Sequence, residues 1–171
     1  KELPQDNKDL QHQCLLLMDE FTSIGRVEII AHSVSYMAGY NIRLFPIIQS
    51  VAQLDAVYGK EYARTIITNH ALQIIYTPRE QQDANEYSEM LGYTTVKRRN
   101  VSRGRERSVS ESEERRALML PQELKGMSQD NEIILYEGMA HPAKVGKIRY
   151  YQEGTFTKRL RKPVAVASLK K

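Results

Sequence analysis

Short apolar runs alternate with amphipathic stretches along the first 92 residues of the chain. Cys14 to Met18 form a continuous apolar run and Leu44 to Ile48 form a second, a pattern typical of strands buried on both faces. Between them, apolar residues from Val27 to Ala38 recur at helical spacing, and Gly39 is placed to end that helix in a left-handed turn. The pattern predicts a strand–helix–strand unit.

Two further helices and a third strand follow. Ser50 is placed to cap a short helix through Tyr58, and Lys60 to Thr68 form a second helical stretch. Leu72 to Tyr76 are then predicted to form a third buried strand. Strands that alternate with helices at this spacing predict an α/β fold, with mostly parallel strands and helices on both faces of the sheet.

A capping box is expected at the start of the next helix. Thr77 and Glu80 have the spacing of such a box, and Pro78 suits the first helical position. Gly92 is placed to end this helix.

The second half of the chain has a different pattern. Tyr93 to Lys97 are expected to form a strand, whereas residues 98–116 are rich in Arg, Ser and Glu and predict a mobile, charged surface loop. A short helical turn is expected from Pro121 to Gly126, followed by a pair of strands at Ile133 to Tyr136 and Val145 to Tyr151.

Length and composition indicate a single water-soluble domain. The chain has 171 residues, of which 41% are hydrophobic and 27% charged, near the average for globular proteins. It contains no apolar run long enough to cross a membrane, so no membrane contact is expected from this segment. Cys14 is the only cysteine, which excludes an intrachain disulfide and favours a reducing compartment.

Basic residues are concentrated in two segments of a chain whose net charge is only +4. Residues 97–107 contain six basic residues and one acidic residue, and residues 158–171 contain six basic residues and no acidic one. Two interpretations remain open, namely contact with nucleic-acid phosphates and a solvated charged surface. The candidates for phosphate contact in the first segment are Lys97, Arg98, Arg99, Arg103 and Arg105.

The sequence LLLMDEF, from Leu15 to Phe21, has the Walker B pattern of nucleotide-hydrolysing proteins. Ligands of a parallel sheet bind beyond the carboxyl ends of its strands, which is where Asp19 and Glu20 are predicted to lie. Asp19 is suited to hold Mg²⁺ through a bound water, and Glu20 to orient or deprotonate the attacking water. A solvated acidic turn is the alternative interpretation.

Gln49 follows the second predicted strand as Asp19 follows the first. Its amide can donate a hydrogen bond to a γ-phosphate oxygen and accept one from water, so it is a candidate phosphate sensor. A polar group at the start of a helix is the alternative. Because the chain has no Walker A phosphate loop, we expect weak or no ATP binding and no ATP turnover by this chain alone.

The sequence resembles the TraG-type coupling proteins of type IV secretion and conjugation systems, which are RecA-like, DNA-translocating ATPases. The resemblance rests on the stretch from Leu15 to Gly59 and continues through NHALQIIYTP, SEMLGYTTV and LMLPQEL, so that it covers nearly all of Leu15 to Tyr151. It implies a partial RecA-like P-loop NTPase domain that lacks the Walker A half. Residues 14–151 would form the C-terminal part of this domain, between a linker at 1–13 and a basic tail at 152–171.

The resemblance also implies a function. Asp19 and Glu20 would take Walker B roles and Gln49 a nucleotide-sensing role, with ATP and Mg²⁺ as cofactors. The parent would be a hexamer anchored at the cytoplasmic face of the bacterial inner membrane by a segment outside this chain. Its partners would be DNA or relaxase-bound DNA, effector proteins and components of the secretion channel.

Two points stay open in this interpretation. The alternative function is a non-catalytic docking or nucleic-acid-binding module that retains the fold. No arginine acting on a neighbouring subunit is assigned by the sequence, and Arg26, Arg43 and Arg64 are the candidates.

Overall fold

A computed structural model describes residues 3–103 and 107–162, with the backbone alone for 99–103 and 107–111. The strands are β1 (Cys14–Met18), β2 (Ile42–Pro46), β3 (Leu72–Ile75), β4 (Tyr93–Arg103), β5 (Arg107–Ala117), β6 (Asn131–Tyr136) and β7 (Ala143–Gly146). The helices are α1 (Glu28–Ser33), α2 (Val51–Tyr58), α3 (Lys60–Thr68), α4 (Gln81–Leu91), α5 (Pro121–Lys125) and α6 (Gly154–Thr157). Short 3-10 segments span Phe21–Ile24 and Met37–Tyr40.

The first two strands run parallel, as the strand–helix–strand pattern predicts. Leu16 of β1 lies opposite Leu44 of β2, and Met18 lies opposite Pro46. The second strand begins at Ile42 and ends at Pro46, two residues earlier at each end than the apolar run indicated. The other strand pairings in the described residues are antiparallel, in the order β3-β6-β7 and as the separate pair β4-β5.

The helix expected from Val27 to Ala38 is interrupted. It ends at Ser33, and a separate 3-10 segment follows at Met37–Tyr40. The left-handed residue at the end of that segment is Asn41, with φ of 58°, and not Gly39. Asn tolerates this conformation better than most residues, because its short polar side chain can bond locally.

The capping box predicted for Thr77 and Glu80 is wrong. Helix α4 starts at Gln81, and Glu80 makes no side-chain capping bond. The Thr77 hydroxyl instead donates to the Met127 carbonyl at 3.1 Å, so its hydrogen bond is made to a distant part of the chain. The other helix signals are confirmed: Ser50 Oγ accepts from the Gln53 amide at 3.2 Å, and Gly92 ends α4 with φ of 83°.

The structure contradicts the charged loop predicted over residues 98–116, because residues 98–103 and 107–116 belong to a two-stranded antiparallel ribbon formed by β4 and β5. Ion pairs join the strands, with Lys97 Nζ at 3.9 Å from a Glu113 oxygen and Arg98 Nη1 at 3.4 Å from a Glu114 oxygen. Backbone bonds along the ladder need no buried side chains, and opposite charges across the strands favour the pairing.

Two apolar clusters hold the described part of the chain together. The first lies beneath β1 and β2 and contains Phe21, Leu54 and Tyr58, each at most 1% exposed. The second is centred on Leu124 and Ile133, with Ile75, Leu91 and Met127 around them. β1 itself is not buried on both faces, since Leu15 is 63% exposed and Leu17 is 59% exposed among the described residues.

Candidate functional site

The candidate site lies where β1 and β2 end. Because the two strands are parallel, their carboxyl ends meet at one edge, with Asp19 directly after β1 and Gln49 three residues after β2. Backbone hydrogen bonds join the segments that follow the two strands. The Ile47 amide donates to the Met18 carbonyl and the Phe21 amide donates to the Ile47 carbonyl, both at 2.9 Å. The residues after the two strands are therefore held side by side.

A pocket of about 270 Å³ opens at this edge. Its lining residues are Glu20, Thr22, Ser23, Gln49, Gln53 and Val57. Ligand pockets usually measure roughly 300–1,000 Å³, so this volume lies near the lower end of that range. The structure thus brings Glu20 and Gln49 together in one concave site.

Glu20 has a left-handed backbone conformation, with φ of 48° and ψ of 47°. This conformation is uncommon outside glycine and costs on the order of 1 kcal/mol or more. Neighbouring bonds maintain it, including one of 2.7 Å from the Ser23 amide to the Glu20 carbonyl. The left-handed turn lies directly after β1, and Glu20 is one of the residues that line the pocket. Such local strain is found most often at functional sites.

Asp19 is exposed and lies next to the pocket in sequence, outside the set of lining residues. Its Oδ1 accepts a hydrogen bond from the Glu20 amide at 3.0 Å. This bond orients the carboxylate without burying it. The carboxylates of Asp19 and Glu20 and the hydroxyls of Thr22 and Ser23 are close in sequence and are oxygen donors of the kind that Mg²⁺ prefers. Among the described residues, no group of three or more His, Cys, Asp or Glu side chains is placed to hold a metal ion, so a Mg²⁺ ion at this edge would take most of its ligands from water and phosphate.

The wall that carries Gln49 is the start of α2. The Ser50 hydroxyl caps this helix, an interaction worth about 1 kcal/mol in typical helices. Gln53, in the first turn of α2, contacts the opposite wall. The Thr22 hydroxyl donates a hydrogen bond of 3.3 Å to the Gln53 side-chain oxygen Oε1. The two walls of the pocket are thereby linked to each other.

Sequence reasoning missed Thr22 and Gln53 as pocket residues. Gln53 lies in the first turn of α2, whereas Gln49 precedes that helix, so helical spacing does not link the two residues. Thr22 carries no local signal either, because its position depends on the left-handed turn at Glu20.

The basic candidates lie elsewhere, on the β4-β5 ribbon. The side chains of Lys97 and Arg98 are 75% and 70% exposed, and each has an acidic partner on β5. Arg99 and Arg103 are strand residues of β4, while Arg105 lies outside the described residues. None of the described candidates lines the pocket at the end of β1.

Arg26, Arg43 and Arg64 are the candidates for an arginine that acts on a neighbouring subunit, and the first two form hydrogen bonds within the described residues. Arg26 donates to the Tyr58 carbonyl at 3.2 Å and lies 2.8 Å from a Glu28 oxygen. Arg43 donates to the Ala38 carbonyl at 3.2 Å. Arg64 is exposed on α3.

Comparison with known proteins defines the class. All of the chain, residues 1–171, matches the family described as type IV secretory system conjugative DNA transfer, and the chain belongs to this family. It is 29% identical over 150 residues to the protein VirD4 of Agrobacterium fabrum, covering 85% of this chain and 22% of that protein. It is 31% identical over 103 residues to a conjugal transfer protein TraG of Escherichia coli, covering 58% and 16% respectively.

The fold is shared with a solved coupling protein. The plasmid coupling protein TrwB, in complex with ADP and Mg²⁺, matches with a TM-score of 0.64 and 22% identity over 82% of this chain and 31% of that one. This likeness confirms the predicted α/β, RecA-like fold and, with the family match, the resemblance to coupling proteins. The chain spans about a fifth of the length of VirD4. Among the described residues, no helix is long and apolar enough to cross a membrane.

Proposed function

We propose that this chain is part of the ATPase motor of a coupling protein that drives DNA or nucleoprotein, and effector proteins, across the bacterial inner membrane. The observation that carries the proposal is the pairing of Glu20 with Gln49 in one pocket, at the carboxyl ends of two parallel strands. Membership of the conjugative DNA transfer family supports it, and TrwB binds ADP and Mg²⁺.

Each residue at the edge would have a separate task. Asp19 would hold Mg²⁺ through a bound water, and the ion would supply charge neutralisation at the phosphates. Glu20 would accept a proton from the attacking water, and its place in the pocket lining supports this role. The Gln49 amide would donate to a terminal phosphate oxygen and accept from the same water.

Substituting Asp19 tests this assignment in the complete coupling protein. We expect Asp19→Asn to weaken the response to Mg²⁺ by about 10- to 100-fold, because the amide is neutral and a poorer metal partner. The measurement is ATP turnover as a function of Mg²⁺ concentration, together with DNA transfer between cells. Asp9→Asn, at an exposed site before β1, is the matched control. An unchanged Mg²⁺ response in the Asp19 variant would contradict the proposal.

Family membership is the basis for proposing the assembly, the location and the partners of the motor. They are a hexamer at the cytoplasmic face of the inner membrane, with relaxase-bound DNA, effectors and channel components as partners. The non-catalytic alternative predicts a complete protein that binds DNA or channel components but hydrolyses no ATP under any Mg²⁺ concentration. Turnover by the complete protein therefore separates the two functions.

The β4-β5 ribbon is a second candidate site, for nucleic-acid phosphates. It is favoured by the six basic residues against one acidic residue in 97–107 and by the exposure of Lys97 and Arg98. The partners Glu113 and Glu114 partly neutralise this charge, which is the reason that a solvated ribbon remains the competing interpretation.

Salt titration decides between these two interpretations of the ribbon. If the arginines bind phosphates, neutralising Arg98, Arg99, Arg103 and Arg105 is expected to weaken DNA binding equally across sequences. The slope of log affinity against log salt would then fall by about one unit for each arginine that binds a phosphate in the wild type. Neutralising Lys60 and Arg79, which are exposed outside the ribbon, is the control. Identical slopes for wild type and the ribbon variant would assign the ribbon to solvent.

A further inference from the structure

Helix α4 carries a buried carboxylate, which is not among the residues that line the pocket. Asp83, in the first turn of α4, is only 4% exposed. Its Oδ2 accepts a hydrogen bond of 3.4 Å from the backbone amide of Val51. Val51 is the first residue of α2, so the carboxylate lies against the amino end of the helix that carries the Gln49 wall.

Other hydrogen bonds at the start of α2 lie within the pocket walls. Ser50 caps the Gln53 amide from within the same segment, and Thr22 contacts the Gln53 side chain from the other wall. The bond from Val51 to Asp83 instead joins this segment to a helix of the second apolar cluster, 32 residues further along the chain. Gln49 lies only two residues before Val51, so a displacement of the Val51 amide would displace Gln49 as well.

The position of Asp83 is unfavourable for a charge. Burial raises its pKa above the usual value, and the nearby carboxylates of Glu86, Glu80 and Asp55 raise it further, while the bond from the Val51 amide lowers it. The partial positive charge at the start of α2 offsets part of this cost. An apolar residue of similar size would avoid the desolvation cost but could not accept the amide bond.

We propose that Asp83 is a positioning residue for Gln49, which it holds at the pocket by fixing the backbone amide of Val51. This inference rests on the proposed function, because it assumes that Gln49 acts in ATP hydrolysis. Displacing a catalytic group by about 1 Å can cost on the order of 100-fold in rate, so one backbone bond is sufficient to matter.

The test is a double-mutant cycle in the complete coupling protein, with Asp83→Ala, Gln49→Ala and the combination. We expect Asp83→Ala to lower kcat by about 10- to 100-fold. The Kd for a non-hydrolysable ATP analogue is expected to stay within about threefold of the wild-type value. The reason is that Asp83 does not contact the nucleotide in this proposal, so its loss affects the chemical step and not ground-state binding. If Asp83 acts through Gln49, the double variant is no slower than Gln49→Ala alone.

Ser88→Ala is the matched structural control. Ser88 is a buried polar residue of the same helix, 5% exposed, and its hydroxyl donates to the Met119 carbonyl at 2.6 Å, in the second cluster. We expect this variant to keep kcat. Hydrogen exchange in the complete coupling protein adds a measurement that does not depend on activity. The Val51 amide is expected to lose protection in Asp83→Ala and to keep it in Ser88→Ala.

The outcomes separate the two proposals. A Gln49→Ala variant with normal kcat would overturn the proposed role of Gln49 and this inference with it. The positioning role alone would be overturned if Gln49→Ala lowers kcat but Asp83→Ala does not. It would also be overturned if the losses in kcat from the two substitutions add up in the double variant. Asp83→Leu, whose apolar side chain cannot accept the Val51 amide bond, replaces Asp83→Ala if the latter does not fold. Loss of folding in both Asp83 variants would make Asp83 a purely structural residue and also overturn the inference.

Discussion

Replacing Glu20 by glutamine in the complete coupling protein is expected to leave ATP binding intact and to slow hydrolysis by about 10²- to 10⁴-fold. Glutamine has nearly the same shape as glutamate and keeps the packing of the pocket wall. It cannot take up a proton from water, so only the chemical step is affected. The measurements are the Kd for a non-hydrolysable ATP analogue and the single-turnover rate.

The control for this result is Glu61→Gln, at an exposed position on α3 outside the pocket lining. It removes the same charge from the protein surface and is expected to change neither quantity. Turnover in the Glu20 variant at the wild-type rate would exclude Glu20 as the base. A loss of nucleotide binding would instead assign it a role in ground-state affinity.

Among the substitutions considered, replacement of Phe21 by alanine is expected to lower the free energy of unfolding the most. Phe21 is fully buried, and its ring stacks on that of Tyr58 at a centroid distance of 5.2 Å. Phe21→Ala is expected to cost about 3–5 kcal/mol, from the reduced burial of apolar surface and from the cavity left behind. Whole domains are stable by only about 5–15 kcal/mol, so the variant would be close to unfolding at about 37 °C. Urea unfolding of the 171-residue chain measures the difference.

Phe156→Ala provides the comparison, because this ring is 42% exposed on α6. We expect a change within about 0.5 kcal/mol, as for most surface substitutions. Equal losses of stability for the two phenylalanines would show that the cluster around Phe21 does not hold the chain together. Phe21→Leu, which keeps most of the apolar volume, is expected to lie between them.

Local signals succeeded where the interacting groups are close in sequence. The run from Cys14 to Met18 forms the predicted strand, and Ser50 caps α2 within three residues. The same signals failed where a distant group competed. The Thr77 hydroxyl, for example, donates to the Met127 carbonyl, 50 residues away, and does not cap a helix. Helix α4 starts at Gln81, later in the chain than the predicted capping box indicated.

The ribbon shows a different limit of sequence reasoning. The scarcity of apolar residues in 98–116 predicts a mobile surface loop, because such a composition cannot bury a core. A two-stranded ladder needs only paired backbone groups and tolerates exposed side chains on both faces. The pairing of Lys97 with Glu113 and Arg98 with Glu114 is visible only once the register is known.

The sequence by itself determined the strand and helix order of the first half, the placement of Asp19 and Glu20 at a strand end, and the family to which the chain belongs. These follow from hydrophobic periodicity and short motifs, which act over a few residues. Only the tertiary structure decided that Glu20 lines the same pocket as Gln49, that Thr22 and Gln53 link its walls, and that Asp83 reaches the start of α2. These contacts depend on the parallel pairing of β1 with β2 and on the packing of α4 against a distant helix end, which no local pattern encodes.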